Sequence, residues 1–266
     1  FGRRTFRCWK RHGGGIDLHE AIKQSCDVYF YETVKRVGID RLAETCHKLG
    51  LGQIYDLALA GQKQGIVPST AWKQKYFGQP WYPGETISCG IGQGYVSATP
   101  LQLAVATARV ATGTAVVPRL VVPQDRAFEP FPALPIDPDH LAVVRAGMYG
   151  VVNEPRGTAV RSVLPLPDVK MAGKTGTSQV ISAKNQHKLK GWEGETHALF
   201  IAYAPYDAPR YAAACVVEHG GGGSRAAAPV VRDVMTEVLL RDPAARTASV
   251  ASRPPAAATA TTEQPE

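Results

Sequence analysis

No apolar run in this sequence is long enough to span a bilayer, and no secretory leader opens it. Phe1 stands where a start methionine would be, so the chain is expected to be cut from something longer. The five cysteines (Cys8, Cys26, Cys46, Cys89 and Cys215) form no C-x-x-C pair and are too few and too spread for a disulfide scaffold. As small apolar side chains, most of them belong in the core. Gly220-Gly221-Gly222-Gly223-Ser224 lacks the lysine of a phosphate loop, and Gly90, Gly92 and Gly94 have the wrong spacing for a dinucleotide loop. Basic residues are in excess, giving a formal charge of +7, but the groups around Arg3 to Arg11 and Lys184 to Lys190 are interrupted and match no nucleic-acid motif. A solvated basic face beside an anionic surface or polymer fits them better, and no nucleic acid is expected as a partner.

What remains suffices for one core. With 266 residues, 44% of them hydrophobic, one globular unit is expected over residues 1–243. Residues 244–266, mostly Ala, Thr, Pro, Arg and Glu without an apolar period, read as a disordered tail. Residues 1–10 are a candidate short strand, followed by a turn at His12-Gly13-Gly14-Gly15. Asp17 caps a helical pattern from Leu18 to Val37 that ends at Gly38, which places Ser25 and Cys26 on or beside its buried side. A second helix is expected from a cap at Asp40 to Gly50. The stretch Leu51 to Pro83, rich in glycine, proline and aromatics, reads as a long surface excursion with weak regular structure.

Further on, Thr99, Pro100 and Gln102 form a capping box, starting a helix whose apolar face is Leu101, Ala104, Val105 and Ala108. A proline-rich connector, Pro118 to Pro138, leads into another helix. From Val169 the pattern is extended: a strand through Lys174, then Thr196 to Ala204 and Tyr211 to Glu218, forming an antiparallel meander. A closing helix follows, with Val231, Val234, Met235, Val238 and Leu239 inward. Helices first and strands late give the α+β class, an antiparallel sheet flanked by helices.

The chemistry concentrates at Lys174-Thr175-Gly176-Thr177. This run sets an ammonium beside two hydroxyls and a backbone left bare at Gly176, a strand edge suited to a carboxylate-terminated peptide. The triplet Lys-Thr-Gly is common by chance, so its partners decide. Ser25-Cys26-Asp27 is the partner that an acyl-transfer site of the penicillin-recognising kind requires.

With these two motifs the chain resembles the transpeptidase domain of class B penicillin-binding proteins, of the penicillin-binding protein 2 type that serves cell elongation. The resemblance rests on Ser25-Cys26-Asp27-Val28-Tyr29-Phe30-Tyr31, on Trp81-Tyr82-Pro83-Gly84-Glu85-Thr86 leading to Gly90-Ile91-Gly92-Gln93-Gly94-Tyr95, on Thr99-Pro100-Leu101-Gln102, on Lys174-Thr175-Gly176-Thr177, and on Glu218-His219-Gly220-Gly221. It covers most of the chain and implies that 1–243 is the C-terminal part of the transpeptidase domain.

In such proteins the serine of an S-x-x-K motif attacks a D-alanyl-D-alanine stem peptide, and the acyl-enzyme passes to an amine on a neighbouring strand. By this resemblance Ser25 relays a proton toward the leaving D-alanine, and Lys174 holds Ser25 and the substrate in a positive field. Thr175 and Thr177 bind the substrate carboxylate, and the Thr177 N–H supplies half of an oxyanion hole. No serine here is followed three residues later by lysine, so the nucleophile is expected just before Phe1 and the chain as given is expected to be catalytically incomplete. Asp27 replaces the Asn usual in the wider family, an acceptor in place of an amide donor.

The resemblance also implies an inner-membrane anchor outside this sequence, a periplasmic location, β-lactams as covalent ligands, and a SEDS-type glycosyltransferase and other elongation proteins as partners. No cofactor is required. Cys8, His12 and Cys26 are candidate ligands for a structural zinc, completed by one ligand from outside the chain, as in some members of this branch. The alternatives are a serine β-lactamase or D,D-carboxypeptidase, in which water replaces the amine, and a noncatalytic binding module on the same fold.

Overall fold

The computed structural model describes residues 5–121, 129–179 and 191–243. The expected tail and the basic group Lys184 to Lys190 lie outside them. At the centre is an antiparallel sheet of strands β1 (Ala172–Ser178), β2 (His197–Ala204) and β3 (Tyr211–Val217), ordered β1-β2-β3. Its register pairs Lys174 with Ile201 and Thr177 with Ala198, so the expected meander is present. Against it pack α6 (Pro100–Thr112), α7 (Pro138–Asn153) and α8 (Ala227–Arg241). Phe200, Tyr203 and Met171 of the sheet region meet Val151 and Val152 of α7 and Val231 and Met235 of α8, all fully or almost fully buried. This is the α+β class expected from helices placed early and strands late.

The long N-terminal helical pattern is not one helix. It breaks into α1 (Leu18–Gln24) and α2 (Asp27–Val37), with Ser25 between them at φ 56°, ψ 58°. Nothing in the periodicity marks the break, because neither glycine nor proline stands there. A left-handed serine costs on the order of 1–2 kcal/mol, and the break leaves Ser25 partly buried beside the buried Cys26. Val37, the last residue of the pattern, is exposed.

Residues 5–10 are irregular rather than a strand. Their polar groups serve the helix break instead: the Trp9 indole N–H donates to the Ser25 carbonyl (2.9 Å) and Cys8 Sγ accepts from the Asp27 N–H (3.2 Å). Helix α3 (Ile39–Lys48) starts at Gly38, not at Asp40; the Asp40 carboxylate accepts from the Thr70 N–H (2.9 Å) and so fastens the next helix.

That next helix, α4 (Thr70–Phe77), lies inside the stretch expected to be a surface excursion. Ser69 caps it and Lys73 is almost completely buried, ion-paired to Glu85 of α5 (Pro83–Cys89) and donating to Tyr95 Oη (3.1 Å). The rings of Phe77, Trp81, Tyr82 and Tyr95 surround its ammonium at 4.9–5.9 Å. An aromatic-rich run that looks loop-like in sequence is therefore folded around one charge, which periodicity cannot reveal. Tyr55 and Leu57 form a second small core with Val105 of α6.

Helix α6 begins at its expected capping box. It is covered on more than the predicted face, because it lies between the sheet and that second core. Its buried polar groups are paired: Gln102 donates to the carbonyls of Gln53 (2.7 Å) and Gln64 (2.9 Å), and Arg109 to those of Lys48 and Val116. In α8 Val231 and Met235 face inward as expected, but Val234 is exposed. Of the cysteines, Cys26 and Cys89 are buried, the other three are partly so, and all are free.

Candidate active site

Strand β1 is one of the two edges of the sheet among the described residues, pairing only with β2. Lys174 leaves it and ends at the break between α1 and α2, donating from Nζ to Ser25 Oγ (2.9 Å) and to the Thr175 carbonyl (2.8 Å). Two residues 149 positions apart in the chain thus share one hydrogen bond. The lysine side chain as a whole is half-buried, yet its ammonium is packed closely enough that desolvation pulls its pKa down to about 8, against the opposing field of Asp27. Ser25 Oγ accepts that bond, which leaves its own proton free to be passed on.

Asp27 makes no hydrogen bond to Lys174. Burial pushes its carboxyl above the usual range, opposed first by the Cys8 thiol (3.8 Å to Oδ2) and then by the Lys174 charge. Thr175 places its hydroxyl 2.8 Å from that of Thr158, and Thr177 is exposed at the strand edge with its carbonyl accepting from Gln93 Nε2 (2.8 Å). The absent side chain of Gly176 also serves the packing of β1 on β2. A Cβ there would meet Leu199 Cβ of the paired strand at 3.1 Å, tight packing that is relieved only if Leu199 gives way.

Cys8 Sγ, His12 and Cys26 Sγ converge beside the α2 N-terminus. Their ligating atoms lie within 4.8 Å of one another, with Cys8 Sγ 2.9 Å from His12 Nε2, along the wall of a cavity of about 780 Å³. Two sulfurs and one imidazole are a donor set that suits zinc, so the residues present fit the metal.

Gln93 and Thr158 were not legible as site residues. Gln93 carries a signal, the glycines on either side of it that shape its loop. Thr158 carries little beyond its place between Gly157 and Ala159.

The model of the penicillin-binding protein transpeptidase domain family matches residues 2–236. The chain belongs to that family. Within it the likeness is to the penicillin-binding protein 2 branch. The peptidoglycan D,D-transpeptidase MrdA of Haemophilus influenzae is 40% identical over 250 residues, covering 89% of this chain and 38% of the relative. The crystal structure of Pseudomonas aeruginosa PBP2 in complex with WCK 5153 aligns at a TM-score of 0.75 and 40% identity, over 90% of this chain and 52% of that one. PBP2 of Helicobacter pylori in its complex with MreC aligns at 0.78 and 35% identity, over 92% and 44%. The chain thus spans well under half the length of the curated relative, and the sheet with its flanking helices is the transpeptidase fold.

Proposed function

We propose that this chain forms the substrate-holding part of a peptidoglycan D,D-transpeptidase, which cross-links stem peptides through a serine acyl-enzyme during cell elongation. The observation that carries the proposal is the Lys174–Ser25 hydrogen bond at the free edge of β1. A peptide laid along that edge would meet the Thr177 hydroxyl and the hydrogen-bonding groups of β1, with the Lys174 charge beside its carboxyl end. Ser25, accepting from Lys174, would donate its proton toward the departing amine. Asp27 would keep the ammonium charged through its field rather than by contact.

The attacking serine and its lysine would come from a segment outside this sequence, since no S-x-x-K is in it; this chain alone would be inactive. No helix among the described residues is long and apolar enough to cross a membrane, so the anchor to the inner membrane would lie outside it too, with this domain on the periplasmic face. β-Lactams would acylate the same serine. A SEDS-type polymerase and elongation proteins would be its partners, and the H. pylori PBP2–MreC complex supports the latter.

The test is to add a fluorescent penicillin to the full-length protein and analyse its products on stem peptides. Covalent label and cross-linked dimers are the expected results. A folded protein that takes no label would sink the proposal, and release of D-alanine without cross-links would reassign it as a carboxypeptidase.

We also propose that Cys8, His12 and Cys26 hold a structural zinc, which would tie the irregular N-terminal segment to the start of α2. Elemental analysis of the full-length protein is expected to give about one zinc per chain, and Cys26→Ser to lose it together with several degrees of Tm. A protein purified without chelators that holds no stoichiometric zinc would end this idea.

A further inference from the structure

The hydroxyl of Thr158 stands where three elements meet. Its N–H donates to the Lys23 carbonyl at the end of α1 (3.2 Å), and its Oγ1 lies 2.8 Å from Thr175 Oγ1 on β1. On either side the chain is clamped to α7: the Ala159 N–H donates to the Val151 carbonyl (2.9 Å), and a Cβ at Gly157 would come within 2.4 Å of the Gly150 carbonyl. Gly157 and Ala159 are buried, so Thr158 has little freedom to move away from Thr175. The link therefore joins the helix that ends in Ser25 to the strand that carries Lys174.

A hydroxyl has one proton to give and two lone pairs to receive with. If Thr175 donates inward to Thr158, an anion at the strand edge meets only lone pairs. If Thr158 donates to Thr175, the single proton of Thr175 is directed outward. An arriving carboxylate selects the second arrangement, and the two bonds then polarise one another in series.

We infer that Thr158 is a positioning residue that orients the Thr175 hydroxyl toward the carboxylate of the substrate, giving the site part of its preference for a free carboxyl terminus. The inference rests on the reading of β1 as the carboxylate-binding strand. Thr158 touches no substrate itself, and its backbone bond to Lys23 would survive any side-chain change.

The experiment compares, in the full-length protein, the second-order acylation rate for a penicillin with that for its methyl ester. Wild type should prefer the acid. Thr158→Val, nearly isosteric and without the hydroxyl, should lose about tenfold on the acid and little on the ester, the worth of one hydrogen bond to a charged group. Thr158→Ser should restore the preference. Equal losses on both substrates, or a preference that Thr158→Val keeps in full, would overturn the inference and leave Thr158 a purely structural link. A wild-type protein with no preference for the acid would overturn the carboxylate reading of β1 itself, and this inference with it. A Thr158→Val protein whose Tm matches wild type but whose acid-to-ester ratio falls separates positioning from folding.

Discussion

Lys174→Met in the full-length protein is expected to cut acylation by penicillin by at least about a hundredfold while leaving the fold intact. Methionine matches the length and apolar stem of the lysine, so the packing around β1 is kept and only the ammonium that holds Ser25 Oγ at 2.9 Å is lost. Because burial has pulled Lys174 to about 8, the wild-type rate should fall as pH rises through that value and the ammonium discharges. Stability should move the other way. Between about 8 and the ordinary lysine value of 10.5 the unfolded chain binds more protons than the folded one, so the contribution of this group to unfolding free energy rises with pH across that window. Asp27→Asn removes the charge that opposes the shift, so the falling limb should appear at lower pH. A rate that stays flat to pH 9.5, or a Lys174→Met protein that acylates normally, would show that the ammonium is not part of the chemistry.

Gly223→Ala is expected to destabilise the domain by about 3 kcal/mol and to lower Tm by roughly 10 °C. A Cβ at this position would lie 2.2 Å from the Leu199 carbonyl and 2.5 Å from the Gly176 carbonyl, both backbone atoms that cannot turn aside. Relief requires the loop to lift or β1 and β2 to shift, and the second disturbs Lys174 and Thr177 as well. The neighbouring Gly222 meets nothing within 4 Å, so Gly222→Ala should change stability by less than about 0.5 kcal/mol. Thermal unfolding of the two variants side by side decides the matter: equal melting curves would mean that the close approach is not real.

The sheet, the capping box at Thr99 and the late helices were legible because alternation and capping are local signals. The pairing of Ser25 with Lys174 was legible only as two motifs whose meeting had to be assumed. What escaped was set by long-range contact. The break at Ser25 has no local breaker, and it is held by Trp9 and Cys8 from a segment that looked like a strand. The excursion from Leu51 to Pro83 hid α4, whose weak amphipathic pattern is outweighed by the burial of Lys73. Thr158 and Gln93 are ordinary residues by composition and become informative only once β1 lies beside them.

The lysine caged by aromatic rings also constrains how this domain can change over generations. Replacing Glu85 alone by a neutral residue leaves the almost fully buried Lys73 ammonium with only Tyr95 Oη and the rings around it, a state costlier than the pair or a wholly apolar substitute. Glu85 left alone, by contrast, is one-fifth exposed and keeps the Tyr82 N–H and the Tyr95 hydroxyl. Loss of the acid is therefore the costlier first step, and Glu85 is expected to change only after Lys73 or together with it.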